Sequence, residues 1–143
     1  LKKNLKRGLL IAGIVIGGII IVQIANLAYF LSENSVYKVA SEDMEPILKV
    51  NDGVIVDMTV PFDTLEIDDI IVFLRPLGHD RTIITRIVEI TTDSGEERII
   101  RTKGDANNAS IPGTDFPITE KEYIGRVSEI LKPYKPLPYS LGK

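Results

Sequence analysis

Ser41-Glu42-Asp43-Met44-Glu45-Pro46 is the stretch of this chain where chemistry would be sought first. The hexapeptide has the frame of a catalytic serine motif, but an aspartate stands where that motif puts its nucleophile. A carboxylate supports different chemistry from a hydroxyl: it can share a proton with a second acid across a water, or ligate a cation through oxygen. Composition narrows the choice. There is no Cys, so disulfides, thiolate catalysis and cysteine-ligated metals are excluded. The single His, His79, excludes a histidine-rich zinc site, and its setting in Leu77-Gly78-His79-Asp80 reads as an exposed turn.

Further stretches follow in a fixed order. Asn51-Asp52-Gly53 leads into a hydrophobic run, and Asp69-Ile70-Ile71-Val72-Phe73 comes next. Then come Thr85-Arg86-Ile87-Val88-Glu89-Ile90, Thr102-Lys103-Gly104-Asp105-Ala106-Asn107-Asn108 and Tyr123-Ile124-Gly125-Arg126-Val127. From about Val36 to Leu131 this ordered set resembles the type I signal peptidases, most closely their archaeal and endoplasmic-reticulum branch. The resemblance implies that Asp43 occupies the nucleophile position, directly before Met44, and that Thr85 occupies the position of the His or Lys base, directly before Arg86. It implies that Asp105, in Gly104-Asp105, is a retained acid and that Asp115 is the one candidate for a second. Met44, Pro46, Arg86 and Gly104 are then scaffold: Met44 and Pro46 hold the loop, Gly104 permits a tight turn aiming Asp105 inward, and Arg86 pairs with Asp105 or another acid.

Both reacting groups are therefore missing. Peptide cleavage of this design needs a hydroxyl activated by a base about 2.6–3.2 Å away. Attack by the Asp43 carboxylate on an amide would give a high-energy anhydride, and Thr85 cannot accept a proton near neutral pH. Because such groups act as a unit, losing one already costs several powers of ten in rate. Ser41 lies two residues early and still lacks a base; donating a hydrogen bond or capping a turn suits it better. Asp43 and Asp105 could form an acidic dyad, or bind a cation with Asp115 or Thr85, but the expected reading has no metal and no cofactor. The expectation is a pseudopeptidase: a structural, regulatory or peptide-binding subunit of a membrane complex. The alternatives are an active signal peptidase with altered, acid-based chemistry, or an active enzyme deliberately inactivated at these two positions.

These residues need a scaffold. After Asn34 the sequence breaks into short β-branched runs: 36–39, 53–60, 69–74, 81–92, 97–103 and 123–131. Gly and Pro punctuate them, and Asp93-Ser94-Gly95 predicts a hairpin. Met44–Val50 has room for one short helical turn, capped by Ser41 or Asp43. This predicts an all-β domain over residues 33–131, a barrel or sandwich of short strands, followed by a proline-rich extended tail over 132–143. The segment 106–119 is long and polar for a connection, as functional loops are.

The first residues are of another kind. Gly8–Leu31 is 24 residues without a charge, enough to cross a hydrocarbon core of about 30 Å. That run exceeds the apolar core of a cleaved signal peptide, about 7–15 residues, so an uncleaved anchor over 8–32 is expected. Lys2, Lys3, Lys6 and Arg7 precede it, placing residues 1–7 in the cytoplasm and the β domain outside the cell membrane. Gly13 and Gly17, four apart, offer a close-packing face to a partner helix in the bilayer. Removing the four basic residues of the tail from the chain's 17 leaves 13 against 20 acids, a balance of −7 over residues 33–143. Broad attraction to nucleic acid is excluded.

Overall fold

The computed structural model describes residues 2–133, so the proline-rich tail expected over 132–143 lies almost wholly outside the described residues. The chain divides into two compact units, the second beginning at Ser35. The first is one helix, α1 (Lys2–Glu33), whose segment Lys6–Ser32 is long and apolar enough to cross a membrane. At about 1.5 Å per residue those 27 residues extend about 40 Å.

The second unit holds six strands: β1 (Asn34–Lys38), β2 (Gly53–Asp57), β3 (Ile70–Leu74), β4 (Thr82–Thr92), β5 (Arg98–Lys103) and β6 (Tyr123–Leu131). All six expected runs become strands, with ends shifted by up to three residues. They form a single sheet in the order β1-β2-β6-β3-β4-β5, and the registers joining β2, β6, β3, β4 and β5 are antiparallel. The sheet is not closed: β1 and β5 are its edges. An all-β domain behind one helix is thus correct; where a barrel or sandwich was expected, the strand pairings give one open sheet.

The central position of β3 explains its composition. Ile71, Val72 and Phe73 are all fully buried, because both faces of the strand are covered. Ile71 and Phe73 join Phe62, Leu65, Ile87, Ile100 and Ile118 in one apolar cluster. Val72, pointing the other way, joins Val39, Met44, Leu48, Val54 and Val56 in a second. Alternation would leave one face wet, so the unbroken apolar run of residues 70–74 marks burial on both sides.

Two local details bear on the site. In 44–50 a single turn forms, with Leu48 N donating to Met44 O at 2.9 Å. Neither Ser41 nor Asp43 caps it with its side chain, contrary to expectation; full burial of Met44 and Leu48, worth about 1.5–3 kcal/mol each, holds it instead. The hairpin between β4 and β5 forms where Asp93-Ser94-Gly95 predicts it. Asp93 Oδ1 accepts from Gly95 N and Glu97 N, and the left-handed residue is Glu96 at φ 64°, not the glycine.

Candidate functional site

A cleft of ≈ 540 Å³ lies between two stretches of chain, 38–41 leaving β1 and 81–85 entering β4. Five residues singled out from sequence line it together: Ser41, Asp43, Met44, Thr85 and Asp115. They come from three segments up to 74 positions apart, so only the fold can assemble them.

Thr85 and Arg86 are neighbours in sequence and go to opposite faces of β4, since side chains alternate along a strand. Thr85 faces the cleft and is only 3% exposed. Its hydroxyl donates to Thr102 Oγ1 at 2.8 Å, and the Thr102 hydroxyl donates in turn to the Asp115 carbonyl at 3.2 Å. This chain of hydroxyls ends on a carbonyl and contains no base. Arg86 turns away and binds Asp105 with two parallel hydrogen bonds, Nε to Oδ1 at 2.9 Å and Nη2 to Oδ2 at 2.8 Å, while Nη1 reaches Asp68 O at 2.9 Å. The Asp105 carboxylate raises the guanidinium pKa above its ordinary value, chiefly through these hydrogen bonds.

Asp105 is therefore a clamp on β4 and does not line the cleft, which corrects the expectation that Gly104 aims it inward. Gly104 serves another purpose. A Cβ there would sit 2.5 Å from Asp43 O and 2.7 Å from Asn107 Nδ2, so its lack of a side chain lets the 104–107 turn press against the Asp43 backbone. Ala106 N then donates to Asp43 O at 2.9 Å. Both Asp105 oxygens are taken by Arg86, and among the described residues no hydrogen bond links Asp105 to the Asp43 side chain.

The acids that do share the cleft are Asp43 and Asp115. Asp43 is exposed, and its Oδ1 receives only a long contact, 3.4 Å, from Asn107 Nδ2. Asp115 is 2% exposed, and its backbone is fixed by Thr102 N donating to its carbonyl at 2.9 Å. Its Oδ2 accepts from Ile111 N at 2.8 Å. Burial raises its pKa above the ordinary carboxylate value; the Asp43 charge adds to the shift, while the Ile111 amide and Lys103 oppose it. Among the described residues no group of three or more His, Cys, Asp or Glu is placed to hold a metal ion.

Pro46 follows a cis peptide bond and is exposed. Ser41 is also exposed. His79 is a turn residue whose Nε2 lies 3.3 Å from Glu122 Oε1, and it does not line the cleft. Sequence reasoning missed Thr102, Asn107 and Ile111 as neighbours of the site. Thr102 and Asn107 stand within the motif Thr102–Asn108, but a motif does not tell which members face inward. No family model matches this chain, and no curated protein matches it.

Proposed function

We propose that this chain is a membrane-anchored, signal peptidase-like pseudopeptidase that serves a membrane complex as a structural, regulatory or peptide-binding subunit. One observation carries the reading. The cleft gathers Ser41, Asp43 and Thr85, the positions where the motifs call for chemistry, yet its buried hydroxyl at Thr85 hydrogen-bonds only into Thr102 and a carbonyl. A nucleophile needs a base within hydrogen-bond reach, and among the described residues neither the Ser41 nor the Thr85 hydroxyl is hydrogen-bonded to an amine, imidazole or carboxylate. What persists is the frame: the buried Met44, the close approach at Gly104 and the clamp of Arg86 on Asp105.

Strands flank the cleft, and an extended peptide can add to such a surface through main-chain hydrogen bonds. The basic residues before α1 favour a cytoplasmic N-terminus with the β domain outside. Gly13 and Gly17 are where a partner helix would pack in the bilayer.

A second reading, an acid-based peptidase, draws support from the raised proton affinity of Asp115 across the cleft from Asp43. One assay separates the two. Full chain in detergent is incubated with a signal-peptide-bearing substrate, alongside the double variant Asp43→Ser, Thr85→His. The pseudopeptidase reading expects no cleavage by the unaltered chain and allows a gain in the double variant. Cleavage by the unaltered chain that disappears in Asp43→Ala would overturn it in favour of the acid-based enzyme. Purification from membranes should recover a companion protein; a monodisperse monomer would count against the complex.

A further inference from the structure

We infer that the cleft receives a cationic side chain, a lysine or arginine of an extended polypeptide, with Asp115 and Asp43 as its counter-charges. This rests on the peptide-binding reading above and adds the class of residue bound.

The charge inventory points there first. Asp52, Asp69, Asp80, Asp105, Glu89 and Glu122 each face a basic partner at ion-pair distance. Asp43 and Asp115, like several acids elsewhere on the domain, face none among the described residues; Asp115 is the buried one of these, and it shares the cleft with Asp43. The second observation is independent of that pairing. Asp115 is 98% buried by its 2% exposure, it lines the cleft, and only its Oδ2 is bonded, to Ile111 N. Its Oδ1 accepts no hydrogen bond from the described residues and stays open to solvent on the cleft side. A carboxylate oxygen that opens on the cleft and is free of protein donors can accept from the N–H of a cationic side chain, a charge-assisted bond stronger than a neutral one.

Size and lining select the occupant. A water or a bare ion fills on the order of 30 Å³, whereas the cleft measures ≈ 540 Å³. Val39, Met44, Leu48, Ile83, Ile84 and Ile111 line it. Apolar walls suit the methylene stem of a lysine or arginine, whose charged head then reaches the acid. The basic groups nearby do not fill this role. Lys103 Nζ is held by the carbonyls of Gly104 and Asn107, at 3.1 and 2.8 Å, and influences Asp115 without touching it. Lys38 and Arg81 also line the cleft, but both are exposed, where salt screens their repulsion of a ligand. The buried acid is screened less, so it sets the preference.

The test uses full chain in detergent micelles and a labelled nine-residue threonine–valine peptide with lysine, arginine or norleucine at its centre. Norleucine keeps the stem and removes the charge. Fluorescence anisotropy should show the basic peptides binding at least about tenfold more tightly than the norleucine one. Asp115→Asn should abolish most of that preference, and Asp43→Asn, an exposed charge, should reduce it about two- to fivefold. Asp63→Asn, on an exposed turn outside the cleft, should leave it unchanged. Asparagine keeps an acceptor for Ile111 N; should Asp115→Asn nevertheless fail to fold, Asp43→Asn and the norleucine contrast still decide. Equal binding of all three peptides would overturn the cationic preference and leave peptide binding standing. No binding of any peptide would overturn both. A preference that survives in the Asp43→Asn, Asp115→Asn double variant would remove these acids from the role.

Discussion

The pairing of Arg86 with Asp105 is the feature whose energetics best separate a scaffold residue from a group of the cleft. Its two hydrogen bonds, at 2.9 and 2.8 Å, are parallel and charge-assisted, the strong geometry for a guanidinium and a carboxylate. The side chains are 25% and 20% exposed. An exposed pair is worth about 0–1 kcal/mol, and breaking a fully buried one costs about 3–5 kcal/mol. Partial burial places the coupling between them, at about 1–3 kcal/mol. Arg86→Met alone should cost about 2–3 kcal/mol, because it also strips the Asp68 carbonyl of its donor and leaves a half-buried carboxylate alone. At about 4 °C per kcal/mol for a domain near 100 residues, that lowers Tm by about 10 °C. The assay is a double-mutant cycle of Arg86→Met with Asp105→Asn, followed by near-UV circular dichroism, since far-UV signal is dominated by α1. Tyr123, packed 5.6 Å from Phe62, reports on the β domain. Amide exchange should also quicken at Ala106, whose N–H binds Asp43 O directly beyond the clamp. A coupling below about 0.5 kcal/mol, the level of unrelated sites, would refute the clamp.

Two further outcomes follow from the same geometry. Gly104→Ala places a Cβ 2.5 Å from a backbone oxygen that cannot swing aside and should cost about 1–3 kcal/mol. Gly95→Ala, whose nearest neighbour is the Asp93 carboxylate at 3.4 Å, should be neutral or stabilise by up to about 1 kcal/mol, and equal melting of the two variants would refute the close-approach argument. Burial raises the Asp115 pKa above 3.8, so folding favours its protonated form and its ionised form lowers stability at neutral pH. That cost fades as pH falls through the raised pKa towards 3.8. Asp115→Asn should melt above the parent at pH 7 and converge with it in acid; a variant melting below the parent at pH 7 would contradict the sign.

How much of this was written in the sequence differs from residue to residue. The strands were legible because β-branched runs and their Gly and Pro boundaries are local signals; the central place of β3, which its apolar run fits, came only with the strand order. The hairpin was legible too, although Glu96 rather than Gly95 adopts the left-handed conformation. The site was legible only in part. Asp43, Thr85 and Asp115 line one cleft, and Asp105 does not join them. The motif carried its identity and not its direction.

The sequence alone determined that the chain has one apolar helix, an acidic β-rich remainder, no thiol and a single imidazole, because composition and periodicity are properties of the chain itself. That an aspartate stands at position 43 and a threonine at position 85 is equally a matter of sequence. Tertiary structure decided which acids face each other. Alternation along β4 sends Thr85 and Arg86 to opposite faces, Arg86 takes Asp105 with it, and the 111–118 loop, pinned along β5, brings Asp115 into the cleft with Asp43. Pairings across dozens of residues depend on strand register and loop path, and no local pattern encodes either.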